Sequence, residues 1–463
     1  MTVAQGGDNI SDYGGFFMVW LTKSKFLSLL SLGHFNLQDQ AEVSGGEKPD
    51  VNFRAGAVST FFSGGRSFMK YCLVYTFLFT GFVLTTLLGP PLSRAEVSFP
   101  VRIGATVSLE GKYSETSAMI LSGYQLWVDQ INKNGGLLGR PVHLILYDDK
   151  SRVDRIAPLY EKLIMEDKVD LVLSPYSTPL TMAASDVTEK YSYVMLASAA
   201  AGEQIWERGY QYIFGVYALA DRYFIGFQDI MARNDLTSVS LVFENTSFNI
   251  SIAEGVRKWA ARFNLEITHD IPFEAAAKDL SPVLEKLMEN PADGLIFSGY
   301  PPECHQFIDL MEKADFRPKS LAFTIVPVHP DFYSRTGIFA DGIFGPSQWE
   351  PDERIPFPGT RQFILDFKNH TGTMPSYHAA SAYSACQILE KAVNHAQAID
   401  HRKIRDFISS FDTVTIMGRF KVDHTGRQVG HNPILIQWQN GKKEIVYPTN
   451  MRTSPPQFKP SWK

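Results

Sequence analysis

Cysteine is scarce in this chain of 463 residues: Cys72, Cys304 and Cys386 stand far apart. Three scattered thiols build neither a disulfide framework nor a zinc site. Cys304 and Cys386 fall in helix-like stretches and read as small buried hydrophobes. A charge excess of one sign is also missing. The 44 basic and 49 acidic residues leave a net charge of −5, which provides no electropositive footprint for nucleic acid. His305, His378 and His424 lack metal-ligand spacing, so neither a metal nor a cofactor is expected. Gly104, Gly111 and Gly123 do not form a dinucleotide fingerprint, and Ser177 lacks a nucleophile-elbow context. No nucleophile, base and orienting group stand in workable relation. No catalytic residue is therefore assigned, and an enzyme is not expected. Internal repeats are absent, and hydropathy is too even for a polytopic membrane protein.

One long apolar run breaks the pattern. Met69-Lys70 gives a short basic start, YCLVYTFLFTGFVLTTLL an apolar stretch, Gly89-Pro90-Pro91 a break, and Ser93 and Ala95 small residues. This reads as a secretory signal over 69–95, cleaved after Ala95. The run is close to the shortest transmembrane helix, so an uncleaved anchor is the competing reading. Residues 1–68 carry glycine pairs at 6–7, 14–15, 45–46 and 64–65 and show no sustained helix or strand period. They read as a non-native extension ahead of a true start at Met69, or else as a disordered extension. No cysteine stands at the cleavage point, so a lipid anchor is not expected.

From Val101 onward, strand-like and helix-like stretches alternate. An apolar strand over 101–105 ends in a polar loop, 108–114. Ile120, Tyr124, Trp127 and Ile131 then share one helix face, Gly135-Gly136 stops the helix, and a second strand over 142–147 ends in Asp148-Asp149. This is a β-loop-α-turn-β unit, whose loop lies where open α/β sheets place ligands. Further strands are predicted over 170–174, 193–197 and 212–216, with helices over 156–166, 180–191 and 205–208. A second set runs from 221 to 346. The alternation argues parallel α/β architecture. Cys304 opens one predicted helix, 361–370 and 381–396 form two more, and 418–422 and 434–439 are strands. The last residues, SPPQFKPSWK, are expected to be disordered.

The ordered set IGA-x-x-SLEGKY, GYQLWVDQINKNGGLLGRPV and YDDKS, continued by alternating strands and helices through residue 448, resembles periplasmic substrate-binding proteins of the branched-chain amino acid type, which serve ABC importers. The resemblance implies two Rossmann-like α/β lobes with parallel sheets, joined by a three-strand hinge around a trapped ligand. The first lobe is placed at 101–218 plus 347–411, the second at 219–346 plus 412–450, and a tail at 451–463. It also implies a small-molecule ligand and an inner-membrane permease as partner; a monomer is expected, and an export signal without a lipid anchor points to the periplasm as location.

The ligand site is sought at the carboxyl ends of strands. Ser177 and Thr178 precede Pro179, which suits a first helical position. Their hydroxyls and the helix amino terminus then form an anion site, with simple capping as the alternative. In the family this loop grips the ligand carboxylate. Tyr176 belongs to the same loop. Ala199, Ala200 and Ala201 follow the next strand and let a ligand approach the backbone. Amino acid binders tend to carry threonine where Ala201 stands. Tyr113, Phe248 and Tyr300 supply aromatic walls. Relatives commonly place an acid after the strand at 320–324 to pair with an α-ammonium, whereas this chain reads Thr324-Ile325-Val326-Pro327-Val328. Asp221 and Glu244 are the acids that could compensate, although Asp221 reads as a helix cap and Tyr377-His378 as hinge or rim packing. A carboxylate without an amine, or an amide, competes with an amino acid as ligand. A ligand sensor acting through a signalling partner is the alternative to transport.

Overall fold

The computed structural model describes residues 99–458, apart from 276, 353 and 356. The expected extension over 1–68 and signal over 69–95 lie outside the described residues.

The first lobe is built from β1 (Val101–Val107), α1 (Ser114–Lys133), β2 (Val142–Asp148), α2 (Val153–Met165), β3 (Leu171–Val172), α3 (Thr178–Lys190), β4 (Met195–Ala197) and β5 (Ile213–Gly215). β1 is buried at nearly every position. A strand covered on both faces suits a parallel sheet, and β1 pairs in parallel with β2 and β3. β4 and β5 form a second parallel pair. The helix begins at Ser114, earlier than its apolar stripe suggests, and the predicted helix at 205–208 is a 3-10 turn, Glu203–Arg208.

The second lobe runs α4 (Ile225–Arg233), β6 (Ser238–Glu244), α5 (Ser247–Phe263), β7 (Glu266–Phe273), α6 (Ser281–Glu289), β8 (Gly294–Ser298), α7 (Pro301–Lys313), β9 (Ser320–Phe323), α8 (Phe332–Thr336) and β10 (Ile343–Ser347). The chain then returns through α9 (Thr360–Thr371), α10 (Tyr377–Ala396), α11 (His401–Ser410) and the hairpin β11 (Thr413–Thr415) and β12 (Gly418–Phe420). It ends with β13 (Ile434–Gln439) and β14 (Lys442–Tyr447). The second sheet has seven strands in the order β14-β13-β10-β9-β8-β6-β7. Its core is parallel, and β13 and β14 add an antiparallel edge.

α10 returns to the first lobe because α1 leaves room for it. A Cβ at Gly123 would stand 2.4 Å from the Ala379 carbonyl oxygen, so only glycine lets the two backbones meet this closely. Trp127 Nε1 donates to Glu390 at 2.9 Å on the same interface. This contact brings the start of α10 to the edge of the cleft.

Two expectations need correction. The hairpin and the turn after it do not belong with the second lobe from residue 412. Thr360 Oγ1 donates to Ile416 O at 3.0 Å and Gly215 N to Gly426 O at 2.8 Å, so the crossing into β13 comes after Gly430. The tail is ordered through Phe458. Gln457 exchanges bonds of 2.9 and 2.7 Å with the Gln437 side chain, and the Phe458 ring meets Phe344, which fastens the tail onto the face of the second sheet.

The chain thus crosses between lobes around 217–222, 347–350 and 430–433. The crossings are tied together. Gln348 accepts from Ala218 N at 3.0 Å and donates to Ala218 O at 3.3 Å, and Arg222 Nη1 donates to Asn432 Oδ1 at 3.1 Å.

Candidate functional site: a tyrosine-lined cleft between the lobes

Strand ends and helix starts converge on one small cavity of about 20 Å³. From the first lobe it is lined by Tyr176, Ser177 and Thr178 at the start of α3, by Ala199 and Ala201 after β4, and by Tyr377 and His378 at the start of α10. Tyr217 and Tyr223 come from the first crossing, and Phe248, Tyr300 and Ile325 from the second lobe. Tyr113 forms the next ring outward, edge-on to Tyr176 at 5.8 Å and to Tyr300 at 4.8 Å. Ala200 is buried beside Ala199 and Ala201 but does not face the cavity. Sequence reasoning missed Tyr217, Tyr223, Ile325, Tyr377 and His378. The clustering of Tyr217 and Tyr223 in one loop was their only signal. Tyr377 and His378 stack on each other at 4.0 Å and His378 meets Tyr176 at 5.7 Å, so they are cavity wall and not rim packing.

The polar groups divide into those that hold the loops and those left free. Thr178 Oγ1 accepts from Ala201 N at 3.3 Å and Gly202 N at 3.2 Å, which fastens the alanine loop to α3. Below, the Tyr124 hydroxyl reaches Ser174 O at 3.0 Å and Ser198 Oγ at 2.6 Å. By contrast, the Ser177 hydroxyl makes no capping bond to its helix. The Ser177, Tyr217 and Tyr300 hydroxyls are buried without a hydrogen-bond partner. The Tyr113 and Tyr300 hydroxyls lie beside Ser177 Oγ, neither at hydrogen-bonding geometry. A buried hydroxyl without a partner costs stability, so these three mark a surface suited to a polar guest. The first-turn amides of α3 add donors and the positive end of the helix dipole.

No acidic, lysine or arginine side chain lines the cavity. Burial pushes the Tyr113 phenol up to about 12 and the Tyr176, Tyr217, Tyr300 and Tyr377 phenols further still, so all remain neutral donors. Burial lowers the His378 imidazole to about 3, which keeps it neutral as well. After β9 stands Ile325, with φ 61° and ψ −61° and a 2.6 Å bond from Val326 N to Thr324 O across it. This is the strained form of the γ-turn, uncommon for a β-branched residue and typical of ligand sites.

The acids lie further out. Lys112, on the loop after β1, makes an ion pair with Glu244 at the end of β6 and stands 4.0 Å from Glu303 in the first turn of α7. Its ammonium lies over the Tyr300 ring, 4.7 Å from the centroid. Both glutamates are buried, and Glu303 Oε2 has no hydrogen-bond partner. Burial raises the Glu244 carboxyl, Lys112 opposes that shift, and the neighbouring Glu303 adds to it. The cluster joins the two lobes. On the same rim His329 Nε2 lies 3.3 Å from Glu115. Glu244 is therefore already paired, and Asp221 is not a helix cap. It sits in a 3-10 turn, where Lys258 and Arg222 approach its carboxylate at 3.3 and 3.8 Å.

Residues 100–443 match the family model described as periplasmic binding protein. The chain belongs to that family. The family is one of non-enzymatic binding proteins. The Leu/Ile/Val-binding protein of Escherichia coli K12 is 20% identical over 347 residues, 75% of this chain and 93% of the relative. Among solved structures, the leucine binding protein LivK of Thermotoga maritima is 17% identical and superposes with a TM-score of 0.68, over 74% of this chain and 97% of the other. The Streptococcus pneumoniae protein LivJ, in complex with isoleucine, is 20% identical with a TM-score of 0.68, over 75% of this chain and 100% of the other. An R. palustris solute binding protein in complex with benzoate is 17% identical with a TM-score of 0.67, over 78% and 98%. These likenesses establish the two-lobed fold. Among the described residues no helix is long and apolar enough to cross a membrane.

Proposed function

We propose that the protein is the solute receptor of an ABC importer and that its cleft takes a small carboxylate, an aromatic acid in preference to an amino acid. The observation that carries the preference is the charge of the cavity wall. It offers hydroxyl and amide donors and aromatic faces, and no carboxylate. A ligand ammonium enclosed there would lack a counter-charge, at a cost of several kcal/mol. The glutamates nearest the cleft are engaged by Lys112. A ligand carboxylate, by contrast, meets Ser177 Oγ and the amino end of α3, while its ring packs against Phe248 and Tyr300. Relatives crystallised with benzoate and with 3,4-dihydroxybenzoic acid support the aromatic class, and one with isoleucine supports the alternative.

The mechanism is set by where the groups sit. The cavity is the size of about one water, so a ring enters only when the lobes part. The carboxylate docks on the first lobe. Bending at the three crossings then brings Phe248, Tyr300 and Ile325 over the ring, and the Lys112 cluster completes as the lobes meet. Contacts made only in the closed form shift the population toward it. The closed monomer is the form that an inner-membrane permease recognises. Export by the signal over 69–95 places it in the periplasm.

A thermal-shift panel of benzoate, 3,4-dihydroxybenzoate, leucine and isoleucine tests the reading. A ligand at 100 times its Kd adds about 2.7 kcal/mol, which raises Tm by at least about 2 °C for a chain of this size. The aromatic acids are expected to give that rise. A rise with leucine or isoleucine and none with the aromatic acids would assign the cleft to amino acids.

A further inference from the structure

A second cavity, of about 500 Å³, lies on the hinge and is far larger than the interlobe one. All three crossings contribute to its walls: Arg222 and Tyr223 from the first, Gln348 from the second, His431 and Asn432 from the third. Tyr223 also lines the interlobe cavity, so one side chain separates the two. The remaining lining is largely apolar, with Trp259, Phe357, Met417, Tyr447 and Met451 presenting flat or flexible faces. The volume falls within the range of small-molecule sites.

Its polar groups define what would fit. Arg222 and Lys258 stand on the wall, and Asp221 is the acid that approaches both. Two cations against one acid leave a single positive charge. His431 Nδ1 lies 3.0 Å from the Arg419 carbonyl oxygen. A carbonyl only accepts, so Nδ1 carries the proton. Burial keeps the ring neutral, and Nε2 therefore presents a lone pair. That atom is buried away from the open volume of the cavity, so the ring lends the wall a flat neutral face and no acceptor.

We propose that this hinge cavity is a second ligand site, which takes an aromatic anion. The ring lies among Trp259, Phe357 and Met451, and the anionic group faces Arg222 and Lys258. The site is independent of what the interlobe cleft binds. An occupant touches every strand that must bend when the lobes move.

The probe is 8-anilinonaphthalene-1-sulfonate, which joins aromatic rings and a sulfonate. It is titrated into the folded wild type and three variants, each checked for an unchanged melting transition. The expected result is saturable fluorescence enhancement at one site. Lys258→Glu, at an exposed position, should raise the Kd at least tenfold, Met451→Trp should raise it several-fold by narrowing the cavity, and Ser177→Trp, which blocks the interlobe cleft, should leave it unchanged. Absence of saturable binding, or binding that is unchanged by Met451→Trp and disappears with Ser177→Trp, overturns the proposal. Equal affinity in wild type and Lys258→Glu does so too.

Discussion

Alanine at both Ser177 and Thr178 is expected to weaken benzoate binding by at least about 100-fold, near 3 kcal/mol, while leaving the fold intact. The two hydroxyls act differently. Ser177 Oγ is buried, makes no bond to its own helix and has no partner elsewhere. A hydrogen bond from such a donor to a carboxylate is worth about 1.5–3 kcal/mol. Thr178 Oγ1 accepts from two amides of the loop that carries Ala201. Losing it frees that loop, and the ligand must then order it on binding. Because Thr178 Oγ1 holds two buried loop amides, the melting temperature should fall by a few degrees while the transition stays cooperative. Calorimetry with benzoate on the double variant measures the effect, and an unchanged Kd would remove the loop from the site.

Lys112→Met is expected to weaken binding by at least about 30-fold at neutral pH and to make it strongly pH-dependent. In the closed form Lys112 is the cation that Glu244 and Glu303 share. Removing one partner of a buried pair costs about 3–5 kcal/mol. The lysine is partly exposed, so about 2–3 kcal/mol is the better expectation here. The cost falls on closure, because in the open form both carboxylates reach water. The sign with pH is fixed by linkage. Burial already raises the Glu244 carboxyl, and without the lysine closure raises it further, so the closed form binds more protons than the open form. Affinity is then greatest below the open-form value and falls as pH rises through the closed-form value. Calorimetry across pH reads this directly. A variant whose affinity is low but flat with pH, or unchanged throughout, would show that the cluster plays no part in closure.

The parts of the site legible in the sequence are those set by local order. A strand that runs into Pro175–Ser177 and a Pro at the next helix start mark a candidate anion loop without reference to the rest of the chain. The same holds for the small residues after β4 and for Tyr113, Phe248 and Tyr300 beside strand ends. What the sequence withholds is which distant elements meet. Tyr377 and His378 come to the cavity only because Gly123 admits α10 against α1. Lys112 and Glu244 are 132 residues apart, and neither periodicity nor charge pattern links them. The left-handed backbone at Ile325 is likewise set by the ends of β9 and the turn after it. The short helix α11 and the edge strand β14 were passed over because their apolar positions are few.

The cleft is proposed to bind an acid through the start of α3 and to offer no partner to an amine. The most direct measurement is a crystal structure of the protein with benzoate bound. The carboxylate is expected within hydrogen-bond reach of Ser177 Oγ, with the ring between Phe248 and Tyr300. Benzoate held elsewhere, or turned so that its carboxylate faces the second lobe, would contradict it.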